Sequence, residues 1–168
     1  IRRVGPGLTT IEIDKGDLSI KGQDGGRVNL SGLTQITRPG NRVVKVTATG
    51  PGSQVDLSGL TDYSTVPITS IGVDDGGTVQ WSDPTILAGL ELDINGTGVI
   101  TTSQITHFTD GAVNALASTP DFTSLTHADG SDFTVSGGAM LSLGAVTALA
   151  TGGESAVDQL AAIGAGSI

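Results

Sequence analysis

A seven-residue block recurs in this chain with a single substitution: Val28-Asn29-Leu30-Ser31-Gly32-Leu33-Thr34 returns as Val55-Asp56-Leu57-Ser58-Gly59-Leu60-Thr61. A looser third copy follows as Val79-Gln80-Trp81-Ser82-Asp83-Pro84-Thr85. Each copy stands after a glycine turn (Gly25-Gly26, Gly50-Pro51-Gly52, Gly76-Gly77), and each turn stands after an alternating strand (Leu18-Ser19-Ile20, Val44-Lys45-Val46, Ile71-Gly72-Val73). The unit is thus strand, glycine turn, strand, corner and then an apolar pair such as Leu33 and Ile36. With strands of only about three to five residues, one unit alone neither buries its apolar face nor satisfies the hydrogen-bonding groups on its edges. Placing a like unit about 4.8 Å above it solves both problems at once.

The pattern therefore predicts an all-β chain: a single right-handed parallel β-helix (β-solenoid) over residues 1–168, with roughly three-sided coils of about 20–27 residues and loops of unequal length at one corner. Its hand is taken from the general preference of parallel crossovers. Val, Ile and Leu are expected in inward columns, Thr, Ser, Asp and Gln outside, and Gly and Asn at corners that need positive φ. Downstream copies drift: Leu90-Glu91-Leu92-Asp93-Ile94 leads through Gly96 and Gly98 to Val99-Ile100, and Phe133-Thr134-Val135 leads through Gly137-Gly138 to Met140-Leu141. Leu160 to Ile168 reads as the opening of a further coil, so the chain is expected to be a segment of a longer array. Segments 111–118 and 155–162 each read as a short helical turn. A β-sandwich, in which the repeats would be coincidental, is the competing architecture.

Composition narrows the interior and the partners. Twenty-six Gly beside three Phe, one Trp and one Tyr leave few large side chains, so the core must be thin. No run of about 18 apolar residues is present to cross a membrane, and the absence of Cys excludes disulfides and thiolate sites. The net charge of −9 is unevenly placed. Every Lys and Arg (Arg2, Arg3, Lys15, Lys21, Arg27, Arg38, Arg42, Lys45) lies in the first 45 residues, and all formal charge from Val46 onward is acidic. A linear stack would carry a basic beginning and an acidic remainder, the latter repelling nucleic acid and anionic lipid.

Few residues suggest chemistry. Asp93-Ile94-Asn95-Gly96-Thr97-Gly98-Val99-Ile100 resembles the calcium loop of dockerin and EF-hand proteins, with Asp93, Asn95 and Thr97 as candidate ligands. The bidentate acid of that loop is replaced here by Gln104, and the repeat already explains the glycines as a corner. No cofactor is therefore expected, calcium being the one candidate. Asp74-Asp75 and the pair Asp129 and Asp132 bring to mind the paired acids of polysaccharide-cleaving β-helices, but no cation follows Lys45 to steady charge, and Asp-Gly is a common turn. His107 and His127 share an Ile/Leu-Thr-His context, which suggests related positions in different coils. No third ligand joins them, and loop histidines facing solvent are the simpler reading. Asn29-Leu30-Ser31 and Asn95-Gly96-Thr97 are formal glycosylation sequons.

At Val28 to Thr34, Val55 to Thr61 and Phe133 to Leu143, the chain resembles the degenerate coils of giant bacterial cell-surface repeat proteins of the adhesin-like and haemagglutinin-like kind. The resemblance covers nearly the whole length and rests on a pattern rather than an invariant motif. It implies an extracellular rod serving adhesion, cell-cell contact or fibre assembly, with no catalytic residues. Partners implied are other domains or copies of the same protein at the solenoid ends, in head-to-tail order, and cell-surface glycans. A carbohydrate-active module, binding or lyase-like, is the alternative.

Overall fold

The computed structural model describes residues 8–37, 42–61, 63, 68–147, 149–150, 159–164 and 168, and among these it contains strands and turns but no helix. Seven strands build one long parallel sheet in unbroken chain order: β2 (Leu18–Gln23), β5 (Val44–Thr49), β7 (Ile68–Asp74), β10 (Glu91–Asn95), β12 (Ala112–Leu116), β13 (Asp132–Ser136) and β14 (Leu160–Ile163). A second face holds β3 (Arg27–Asn29), β6 (Gln54–Asp56) and β8 (Thr78–Gln80), extended by a bridge from Thr78 to Val99. The third face holds β1 (Thr10–Glu12) with β4 (Gln35–Thr37), and β9 (Ile86–Ala88) with β11 (His107–Thr109), extended by a bridge from His107 to His127. Every pairing is parallel, so the chain is a β-solenoid with three faces. Val28 lies against Val55 and Val55 against Val79 in one ladder, which disposes of a sandwich.

The interior is a set of aligned columns. Ile20, Val46, Ile71, Leu92, Val113 and Phe133 succeed one another in register on the long sheet, all buried. Alternate residues point outward, as the pleat requires. Each fully buried Leu, Ile, Val or Phe contributes roughly 1.5–3 kcal/mol of transfer free energy, which a thin core accumulates rung by rung. The core also changes character along the axis. The first coils pack aliphatic side chains, whereas Phe108, Phe122 and Phe133 meet as a triad with ring centroids 6.0 to 6.3 Å apart.

One corner is invariant in length. The blocks 26–34, 53–61, 77–85, 98–106, 118–126 and 139–147 are each nine residues long and each end in Thr. In five of them a tight turn recurs, with Leu33, Leu60, Ile105, Leu125 and Val146 donating their N–H to the carbonyl three residues earlier. Asn29, Asp56 and Asp121 cap the turn by accepting the N–H of Ser31, Ser58 and Thr123 at 3.0 Å. The entry to the block is equally tight: a methyl group on Gly77 would collide with the carbonyl oxygen of Ala48.

The opposite corner absorbs nearly all the variation in coil length. From the closing Thr to the central column of the long sheet the chain takes 12 residues (Thr34 to Val46), 10 (Thr61 to Ile71), 7 (Thr85 to Leu92, Thr106 to Val113, Thr126 to Phe133) or 13 (Thr147 to Leu160).

Two local expectations fail. Residues 112–116, read as a helical turn, form strand β12, because Val113 and Ala115 fall between Leu92 and Ile94 below and Phe133 and Val135 above. The other supposed helical turn, 155–162, ends in strand β14 (Leu160–Ile163), paired with β13, and its residues 155–158 lie outside the described residues. Positive φ also falls on Asp24, Asp75, Asp83, Asp110 and Ala117 besides glycines, and among the described residues on no asparagine.

Candidate functional site

Asp129 and Asp132, singled out in the sequence, hold coils together, and so does Asp17. Asp129 and Asp132 accept the N–H groups of Ala150 and Gln159 at 2.7 Å, and Asp17 accepts that of Val43 at 2.9 Å. All three bonds reach from one coil to the next coil's long corner, where the backbone leaves the ladder and needs acceptors. Asp74 ends β7, and Asp75 sits in the following turn with φ of 48°.

Asp93 and Asn95 both lie in strand β10 on the outer face of the long sheet, with Thr97 in the turn beyond. A strand holds alternate residues roughly 6.6 Å apart, unlike a loop that wraps its ligands about one ion. Asp93 Oδ1 instead accepts Asn114 Nδ2 at 3.0 Å, and Glu91 Oε1 receives a longer contact from the same amide at 3.4 Å. Among the described residues, no three His, Asp or Glu side chains gather as a metal site. Asn29 is spent on capping Ser31. In the adjacent outer row, Ser70 is buried between Lys45 and Glu91, and its hydroxyl has no hydrogen-bond partner.

A cleft of about 280 Å³ opens on the second face between residues 98–103 and 118–121. Its origin is local. The turn preceding Ser118 is one residue shorter than its neighbours, five residues from Val113 against six from Leu92 to Gly98. Ser118 lacks the N–H bond to the third residue back that Gly26, Ser53, Gly77, Gly98 and Ala139 make; its hydroxyl donates to Ile94 O at 2.7 Å instead. Thr119 and Pro120 consequently leave the ladder. Among the described residues no main-chain hydrogen bond joins 98–102 to 118–121, and Thr102 Oγ1 donating to Asp121 O at 2.6 Å spans the gap. The walls present the hydroxyls of Thr101, Ser103 and Thr119 beside Val99, Ile100 and Pro120, with Asp121 at the rim. Hydrogen bonds from the Thr123 hydroxyl and N–H hold the Asp121 carboxyl below the usual carboxylate range, so the rim is anionic.

The two histidines come together. His107 and His127 occupy successive rungs of the third face with their rings stacked, centroids 4.3 Å apart and planes inclined by 5°. Sequence reasoning noted their shared context but did not pair them. The missed signal is the threonine that closes every block: Thr106 and Thr126 occupy the same position, one residue before each histidine, so the rings must coincide too.

All five rings that follow Lys45 besides histidine are interior. Tyr63 meets Trp81 edge to face at 5.7 Å, and Trp81 Nε1 donates to Thr101 O at 2.9 Å. Burial pushes the Tyr63 hydroxyl up to about 12. No aromatic platform for stacking a sugar is therefore exposed among the described residues. Compared with known protein families, curated proteins and solved structures, the chain matches none.

Proposed function

We propose that this chain is a structural, interaction-mediating rod of an extracellular or bacterial cell-surface protein, of the adhesin-like and haemagglutinin-like kind its repeat resembles. It acts through contact rather than catalysis, in adhesion, cell-cell contact or fibre assembly. The observation that carries this reading is the axial order of the rungs combined with the charge order of the sequence. Lys21 and Lys45 stand on the first two rungs of the long sheet, and Glu91, Asp93 and Asp132 on later ones. Axial polarity of this kind favours head-to-tail contact between copies or neighbouring domains and disfavours nucleic acid. Among the described residues no helix is long and apolar enough to cross a membrane.

Sedimentation of the chain across ionic strength tests the proposal. Association at low salt that dissolves as the Debye length shrinks to roughly 3 Å near 1 M supports it. Reversing Lys21→Glu and Lys45→Glu should abolish that association. A monomer at every salt concentration would remove the electrostatic assembly.

The cleft favours a second reading, a carbohydrate-binding module, since hydroxyls, free ladder groups and an apolar floor suit a neutral sugar ring. Retention on a panel of immobilised neutral and acidic glycans, lost on Thr119→Val, would favour it over the rod.

A further inference from the structure

We infer that His107 and His127 form a binding site for a borderline divalent transition metal ion such as Zn2+ or Cu2+ on the third face of the solenoid. Thr106 Oγ1 stands 3.1 Å from Thr85 O and 2.9 Å from His107 Nδ1, and Thr126 Oγ1 repeats the arrangement with Thr106 O at 3.1 Å and His127 Nδ1 at 2.9 Å. A hydroxyl both donates and accepts, so each threonine engages Nδ1 in either tautomer, and an ion on Nε2 selects the Nδ1–H form, whose proton the threonine oxygen accepts. A hydrogen bond on the far nitrogen is also the support that metal-ligating histidines use to hold their orientation.

The stack brings the two rings side by side, with His127 exposed and His107 half-buried against it. Zn2+ or Cu2+ takes imidazole nitrogen at about 2.0–2.1 Å, which sets two ligands on one ion roughly 3–3.5 Å apart. The near-parallel rings, 4.3 Å apart, aim their Nε2 lone pairs side by side, so a shared ion requires the imidazoles to turn about their Cβ–Cγ bonds until the two lone pairs converge. Imidazole selects zinc and copper over calcium and magnesium, which prefer oxygen ligands. Two protein ligands leave the remaining positions to water or to the same pair on a second molecule. The site owes nothing to the proposed rod function and survives if that reading fails.

Titration of the intact chain with Zn2+ by calorimetry, near neutral pH, tests the site, together with the electron paramagnetic resonance spectrum of the Cu2+ complex. The expected result is saturable binding at one ion per chain, or per two chains, with the copper spectrum showing two nitrogen ligands. His107→Asn and His127→Asn should each weaken binding at least about tenfold, and the double change Thr106→Val with Thr126→Val should weaken it by about tenfold while leaving both imidazoles in place. His127 is exposed, so His127→Asn retains the fold and remains informative if His107→Asn does not. Equal affinity in the wild type and in either single-histidine variant would overturn the site, as would a copper spectrum with one nitrogen.

Discussion

The two kinds of corner in this solenoid obey different rules. The corner that closes each constant block keeps its length in all six copies because it is filled from inside: Leu33, Leu60, Ile105 and Leu125 are wholly buried there, and their N–H groups close the turn. An extra residue would move one of those side chains out of its column and break the ladder beyond it. The stretch from the closing threonine through the third face into the long sheet varies from 7 to 13 residues, with carboxylates such as Asp129 and Asp132 accepting backbone N–H groups of its longest copy. A repeat protein thus tolerates growth only where the chain is not counted by the core.

Breaking the constant corner should give the largest effect. Four Gly or Ser residues inserted between Gly32 and Leu33 should abolish cooperative folding of the first coils, seen as a lost or split thermal transition. Next, Phe133→Ala should cost about 3–5 kcal/mol in denaturant unfolding, because it removes one of three mutually packed rings. At the block entry, Gly77→Ala should cost about 1–3 kcal/mol, since the added methyl meets backbone rather than a yielding side chain.

Tyr63 sharpens the contrast, because it lies in a long variable corner yet packs on Trp81 of a constant block. Its hydroxyl titrates at about 12 in the fold against an ordinary 10.0, so the neutral phenol is favoured in the fold. The associated stability is whole below pH 10.0 and is lost as pH rises toward about 12, on the order of 2 kcal/mol. As the single tyrosine, it can be followed by ultraviolet titration, and Tyr63→Phe should flatten the alkaline loss of stability. The smallest effect is expected from the same four-residue insertion placed between Gly89 and Leu90, costing about 0.6–1 kcal/mol of loop closure. A cost there equal to that at Gly32 would erase the distinction between the corners.

Much of the fold was legible because the repeat is written twice almost unchanged, so Val28 and Val55 could be placed in one column before any coordinates. The threonine closing each block was harder to see, since Thr102-Ser103-Gln104-Ile105-Thr106 and Leu143-Gly144-Ala145-Val146-Thr147 keep its pattern with few of its residues. Residues 112–116 misled because Ala-Val-Asn-Ala-Leu has no turn signal and favourable helix formers; only the strands on either side make it a strand. The cleft was illegible because it follows from one missing residue before Ser118, visible only once the coils are aligned.

The sequence alone determined that the chain is a stack: short alternating strands with repeated turns have no stable existence except on one another. It also determined the axial order of charge. Tertiary structure decided which side chains meet across coils, among them the stacked imidazoles, the aromatic triad and the carboxylates reaching to the next corner. Such contacts join residues from 11 positions apart, Phe122 with Phe133, to 27, Gln159 with Asp132, and those intervals are set by corner lengths that no local propensity encodes.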